Sequence, residues 1–139
     1  MAGIIQYVIY QDKKKGGTGK YYGRAVQSTT IDTEALAERI QANCTLKKSD
    51  VQACLVELAE VLKEELQNGN RVKLDNFGIF WISIKSTGAD TAEEYSSTEN
   101  VSGFRVRFLP QGSKDTASGK ITRDFLEGLK CQKATGYRS

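Results

Sequence analysis

The sequence predicts an α+β fold in which a pair of helices backs an antiparallel sheet, and three observations carry that prediction. A long amphipathic segment keeps Val51, Cys54, Leu55, Leu58, Val61, Leu62 and Leu66 on one stripe and closes at Asn68-Gly69. In Arg71–Phe80, which follows directly, Val72 and Leu74 alternate with Arg71 and Lys73, the period of a strand with one buried face. Phe80, Ile82 and Ile84 then alternate with Trp81, Ser83 and Lys85, and the pattern resumes where Phe104, Val106 and Phe108 alternate with Arg105 and Arg107.

At 139 residues the chain is long enough for one modest domain with appendages. Its apolar runs are too short to span a bilayer, so no membrane association is expected. The start, Met1-Ala2-Gly3-Ile4, lacks the basic and cleavage regions of a signal peptide, and a cytoplasmic location is expected. The chain has no histidine, which removes the usual general base and leaves any zinc site an unusual ligand set. No enzyme activity, cofactor or metal is therefore expected. Cys44 and Cys54 fall on apolar helix stripes and read as buried thiols, while Cys131 lies near the C-terminus.

In chain order, Ile4 to Tyr10 is a β-branched and aromatic strand, followed by the basic loop Asp12-Lys13-Lys14-Lys15-Gly16-Gly17-Thr18-Gly19-Lys20. Lys20 to Gln27 is the return strand of a hairpin. Gly16 to Lys20 is not a phosphate loop, because the first glycine is missing and Tyr21 stands where a magnesium-binding Ser or Thr belongs. Asp32 or Thr33 caps a helix carrying Leu36, Ile40 and Cys44 on one stripe. A break at Thr45 to Lys48 precedes the long helix, with Ser49 and Asp50 near its start. Asp75-Asn76 is turn chemistry, and Gly78 takes a backbone conformation closed to other residues. Ser86 to Asn100 is polar and long for a connection. Near the end, Ile121, Phe125, Leu126 and Leu129 fall on one side of an amphipathic segment over Lys120 to Lys130, capped by Ser118, with fraying from Cys131 onward.

The charge is unevenly placed. Residues 81–103 carry Lys85 against Asp90, Glu93, Glu94 and Glu99, a local net of −3 that leaves +6 for the rest of a chain whose total is +3. Alternation puts Arg71, Lys73, Lys85, Arg105 and Arg107 on one sheet face, with Trp81 and Ser83 and no carboxylate. A solvated outer face is the plain reading of such a sheet. Cations without acids among them also suit a polyanion whose phosphates they neutralise.

The order helix, turn, helix, glycine, hairpin and long connection, with Asn68-Gly69-Asn70-Arg71-Val72-Lys73-Leu74-Asp75-Asn76-Phe77-Gly78-Ile79-Phe80 at its centre, resembles the bacterial histone-like DNA-binding proteins, HU and integration host factor. The similarity runs from about Thr33 to Lys85 and resumes at Arg105-Val106-Arg107-Phe108-Leu109-Pro110. The N-terminal extension and Gly88 to Glu94 look like the HU-related subgroup of Bacteroidetes. The resemblance implies an HU-like (IHF-like) fold: a helical base, a three-stranded antiparallel sheet with a β-arm over about 86–103, and an intertwined homodimer. The expected division is a β-hairpin extension over 1–30, an HU-like domain over 31–130 and a frayed tail over 131–139. Leu58, Leu62, Phe77, Phe80 and Phe108 would form the dimer core. Arg71, Lys73, Lys85, Arg105, Arg107 and, one inserted residue out of register, Lys114 would contact double-stranded DNA. Lys13, Lys14 and Lys15 would add flexible phosphate contacts.

Three departures from the family pattern carry information. The arm is acidic and lacks the tip proline that wedges between base pairs, so weak bending is expected. Asn76 replaces a glycine, a mild change because asparagine tolerates left-handed backbone. Lys47 replaces a capping serine, which implies a cap shifted to Ser49. Sequence-tolerant, nucleoid-associated DNA binding is the first functional reading. The second is an HU-fold dimer turned to protein binding through its acidic arm and N-terminal extension.

Overall fold

A computed structural model describes residues 3–136, which divide into two compact units: residues 33–125, and residues up to 32 together with those from 126 onward. In the larger unit, α1 (Thr33–Asn43) and α2 (Lys48–Gln67) pack on each other. The cap at the start of α2 comes from α1. Lys47 offers no capping side chain, and Gln41 Oε1 instead accepts the backbone N–H of Lys48. The expected cap at Ser49 is not used. Lys48 Nζ reaches back to Glu34 at 2.8 Å and Glu38 at 2.9 Å, and these hydrogen bonds, Glu34 first, raise the lysine's pKa. At the other end Gly69, with φ 83°, closes the helix while Asn70 N–H donates to Glu65 O at 3.1 Å.

The sheet of this unit has the order β3 (Val72–Leu74), β4 (Gly78–Ser86), β5 (Val101–Pro110), all antiparallel. Asn76 sits at φ 68° in the β3–β4 turn, so the left-handed role expected of it is filled. Gly78 has φ 147°, and a Cβ there would lie 2.1 Å from Leu109 O and 2.9 Å from Pro110 Cα. Only glycine permits β4 to start under β5. Beyond Pro110 the chain forms a small hairpin, β6 (Gly112–Lys114) with β7 (Ile121–Arg123), and then a 3-10 turn over Asp124–Leu126.

That ending corrects the expectation of a helix over Lys120 to Lys130. Gly119 and Gly128 both take φ 71°, which breaks helical continuity, and Ile121 pairs across to Lys114. Ser118 caps no helix; its hydroxyl donates to Asp115 Oδ2 at 2.6 Å in the β6–β7 turn.

The smaller unit is a three-stranded sheet with β1 (Ile4–Gln11) at its centre. β2 (Tyr21–Ala25) pairs antiparallel on one side, as the hairpin pattern predicts. β8 (Lys130–Lys133) pairs parallel on the other, from Ile4↔Lys130 to Tyr7↔Lys133. Residues 131–133 are thus strand and not frayed chain, because the free edge of β1 takes up their backbone groups. Residues 137–139 of the expected tail lie outside the described residues.

Among the described residues only Val8, Ala37, Val51 and Leu66 are buried hydrophobics. Cys44, Cys54 and Cys131 are all exposed in the single chain, which corrects the reading of Cys44 and Cys54 as buried thiols. Stripe position does not bury a residue when nothing lies on the stripe. Val61 is 51% exposed, Phe104 69% and Val106 67%, so the apolar surface of this unit is largely uncovered by its own chain.

Candidate nucleic-acid interface

The register of β3, β4 and β5 sorts the side chains into two faces. Phe80 pairs with Phe108, Ile82 with Val106 and Ile84 with Phe104; the Phe80 and Phe108 rings stack with centroids 4.6 Å apart. This apolar face lies on the side of α2, where Leu66, Ile82, Ile84 and Phe104 line an open groove of about 530 Å³. On the opposite face Trp81 pairs with Arg107, Ser83 with Arg105 and Lys85 with Gly103. Lys73, paired with Ile79, lies on this face too.

The cations are held by their neighbours as well as by the strands. Arg71, just before β3, places its guanidinium carbon 5.0 Å from the centre of the Trp81 indole. Arg107 Nε donates to Ser83 Oγ at 3.3 Å, fixing that guanidinium along β4. A Cβ on Gly103 would lie 3.7 Å from Lys85 Cδ, so the lysine stem crosses the strand over a residue with no side chain. Arg71, Lys73, Lys85, Arg105 and Arg107 are all exposed, and no carboxylate shares their face. Closely spaced cations on a rigid sheet favour a ligand bearing several negative charges at fixed spacing.

The remaining expected residues are distributed elsewhere. Lys114 is exposed at the end of β6, on the small hairpin and not on the sheet. Lys13, Lys14 and Lys15 are exposed in the β1–β2 loop of the other unit. Of the expected dimer-core set, Phe80 and Leu62 are half-buried, while Leu58 and Phe108 remain about two-fifths exposed. Phe77 is exposed, with its ring edge-on to Phe125 at 6.5 Å.

One cation escaped the sequence reading. Arg123 ends β7, donates to Pro110 O at 3.1 Å, and shares a cavity of about 500 Å³ with Lys73, Asp75, Asn76 and Gln111 at the turn end of the basic face. Gln111 organises this corner: its Oε1 accepts Asn76 N–H at 2.7 Å and its own N–H donates to Phe77 O at 2.7 Å. The alternation of Ile121-Thr122-Arg123 is a strand signal, obscured by the helical spacing of the apolar residues around it.

The connection between β4 and β5 is folded where an extended β-arm was expected. Strand pairing ends at Ser86↔Val101, and a turn and the short helix α3 (Ser97–Asn100) fill the space between. Asn100 is the hub and is buried. Its Oδ1 accepts Ser96 N–H at 3.0 Å, while its Nδ2 donates to Thr87 O at 3.4 Å and Gly88 O at 3.3 Å. Tyr95 and Ser86 hydroxyls meet at 2.6 Å. Asp90, Glu93, Glu94 and Glu99 are carried, exposed, on this compact turn.

Among the described residues no cluster of His, Cys, Asp or Glu is arranged to hold a metal, and no helix is long and apolar enough to cross a membrane.

Comparison with known proteins agrees with this geometry at the level of fold. A family model described as an HU domain fused to wHTH, Ig, or glycine-rich motif matches residues 1–122. Among solved structures the chain is similar to one from Bacteroides vulgatus ATCC 8482 whose title reads "Putative bacterial DNA binding protein", with a TM-score of 0.56 at 10% identity. The match covers 94% of this chain and 47% of that one, so this chain spans less than half of that protein's length. No curated protein matches.

Proposed function

The chain belongs to the HU-HIG family of HU domains fused to other motifs, and from that premise we propose that it binds double-stranded DNA through the basic face of its β3–β4–β5 sheet. The observation that carries the reading is the arrangement of Arg71, Lys73, Lys85, Arg105 and Arg107 on one sheet face without a carboxylate among them. Binding then comes from phosphate neutralisation and tolerates sequence, since contacts to the phosphate backbone fix position without carrying sequence information.

The binding species is a homodimer. Support comes from the apolar side: Leu58, Val61, Ile84, Phe104, Val106 and Phe108 are exposed in the single chain. Each is already partly covered, and removing what remains from water at about 25 cal/mol per Å² favours association in proportion to the apolar area still exposed. Val61→Asp is expected to yield a monomer in sedimentation equilibrium; a variant that remains dimeric would place the interface elsewhere.

DNA is bent weakly. The connection that would serve as an arm is compact, acidic and free of proline, so a wedge is missing and four carboxylates oppose groove entry. Ring closure of short duplexes should be little enhanced; strong enhancement would remove this part of the reading.

The deciding experiment is fluorescence anisotropy on a duplex of about 30 base pairs between about 50 and 250 mM salt. Log affinity should fall linearly with log salt. Arg105→Ala/Arg107→Ala should shallow that slope by about 0.9 for each phosphate left without its arginine. Absence of binding at the lowest salt would instead favour the second reading, an HU-fold dimer whose folded acidic connection docks a protein. The presentation of Asp90, Glu93, Glu94 and Glu99 on a structured turn is what favours that alternative.

A further inference from the structure

The smaller unit carries a second surface whose chemistry differs from that of the basic sheet. On β1 and β2, Val8 pairs with Arg24 and Tyr10 with Tyr22, so Tyr10, Tyr22 and Arg24 share one face. The two tyrosine rings lie 6.0 Å apart at an interplanar angle of 34°, and the Arg24 guanidinium sits 5.7 Å from the centre of the Tyr10 ring. Three flat groups thus follow one another diagonally across two strands. Tyr10 is 43% exposed and Tyr22 41%, so each ring offers surface to solvent.

Cations surround this row. Tyr10, Tyr22, Asp12 and Lys14 line a recess of about 230 Å³ at the loop end of the sheet. Asp12 is engaged by the loop itself: its carboxylate accepts Lys14 N–H at 3.3 Å and Thr18 N–H at 3.1 Å. Thr18 Oγ1 meets Tyr22 OH at 2.9 Å, which orients the ring. Residues 3–32 and 126–136 together hold seven Lys and Arg against three Asp and Glu.

We infer that this face binds single-stranded nucleic acid, with unpaired bases stacking on Tyr10 and Tyr22 and phosphates meeting Arg24, Lys14 and the neighbouring loop lysines. Exposed rings offer a π-face, and only unpaired bases have a free π-face to return; duplex bases are occupied by their neighbours. The cations supply the attraction for the backbone, and an unpaired polynucleotide carries flat groups and negative charges together along one strand. Stacking and phosphate contacts are common to ribose and deoxyribose strands, so the shared chemistry is that of an unpaired polynucleotide. This inference does not rest on duplex binding by the larger unit.

The test uses the full chain and labelled dU and rU oligonucleotides of about 20 nucleotides, with the duplex as a parallel probe. Wild type should bind both oligonucleotides; binding of neither overturns the inference, and binding of one alone assigns the sugar while supporting the stacking surface. Tyr10→Leu/Tyr22→Leu should weaken oligonucleotide binding at least about fivefold while Tyr10→Phe/Tyr22→Phe preserves it. Duplex affinity should not change in either. Oligonucleotide binding unaltered by the leucine pair, or abolished by Arg105→Ala/Arg107→Ala, would overturn the assignment. Should circular dichroism show the leucine pair unfolded, Arg24→Gln decides: weaker oligonucleotide binding with duplex affinity retained supports the surface, and unchanged oligonucleotide binding or an equal loss for the duplex refutes it.

Discussion

Arg71 rests its guanidinium 5.0 Å from the centre of the Trp81 ring, and Trp81 in turn pairs with Arg107 on the neighbouring strand. The indole therefore orders one cation of the basic face before any ligand arrives. Holding a long side chain in place lowers the entropy lost on binding, and a cation over an indole at a partly exposed site is worth about 0.5–1 kcal/mol.

Trp81→Leu should consequently weaken duplex binding by about two- to fivefold, the fold-change equivalent of that energy. The salt slope should stay near the wild-type value, because no charge has been removed. A change in slope equal to that of Arg71→Ala would show that the ring does more than position the arginine. Anisotropy titrations over a salt series separate the two.

Gly78→Ala should be severely destabilising. The new Cβ would lie 2.1 Å from Leu109 O, and both partners belong to backbone that the β4–β5 register fixes. A loss of about 3 kcal/mol or more is expected, read as a fall in denaturation midpoint or as insoluble expression. Alanine at Gly88, where an added Cβ meets nothing, is the control and should be nearly neutral.

Asn100→Ala should loosen the β4–β5 connection without unfolding the sheet. It removes the acceptor for Ser96 N–H and the donors to Thr87 and Gly88 from a buried position, a cost of about 1–3 kcal/mol. Limited proteolysis should cut faster between residues 87 and 100 in the variant. Unchanged cleavage would mean that α3 and the Tyr95–Ser86 hydrogen bond hold the turn unaided.

Two titrations set opposite limbs of the pH profile. Hydrogen bonds to Glu34 and Glu38 raise Lys48 above 10.5, so its contribution is whole below 10.5 and fades as pH climbs through the higher folded value. Ser118 and Ala117 hold Asp115 below 3.8, so its contribution is whole above 3.8 and fades as pH falls through the lower folded value. Lys48→Met should flatten the alkaline limb of a stability curve and Asp115→Asn the acid limb. Asp115 is exposed, and Lys48, though half-buried, pairs with exposed Glu34 and Glu38, so solvent screens both interactions, the effects are small, and neither should alter the plateau's pH dependence near neutrality.

The sheet was legible because its alternation is strict. Phe80, Ile82 and Ile84 against Trp81, Ser83 and Lys85 fix faces without reference to any partner, and the register places every residue on the face expected. The basic face followed from that pattern. Lys120 to Lys130 misled because Ile121, Phe125 and Leu129 recur at helical spacing while Gly119 and Gly128 adopt positive φ, and β-pairing with β6 overrode the periodicity. β8 was invisible for a different reason: its partner strand is at the far end of the chain, and parallel pairing leaves no local signature. The folded connection depends on one buried asparagine, a residue type whose polar run reads as extended loop until its three partners are known.

The pairing of β8 with β1 also sets a schedule for synthesis. β1 emerges from the ribosome before the strands and helices that separate it from β8, and its parallel neighbour follows only after about 120 further residues have been made. During that interval one edge of β1 has no partner, and Ile4, Ile5 and Ile9 stand close to it on a short hairpin. An unpaired edge with isoleucines beside it recruits other strands, those of nascent sister chains included. Slow translation through the middle of the message therefore lengthens the exposure of that edge, and the like charge of the β1–β2 loop lysines opposes the approach of a second such hairpin.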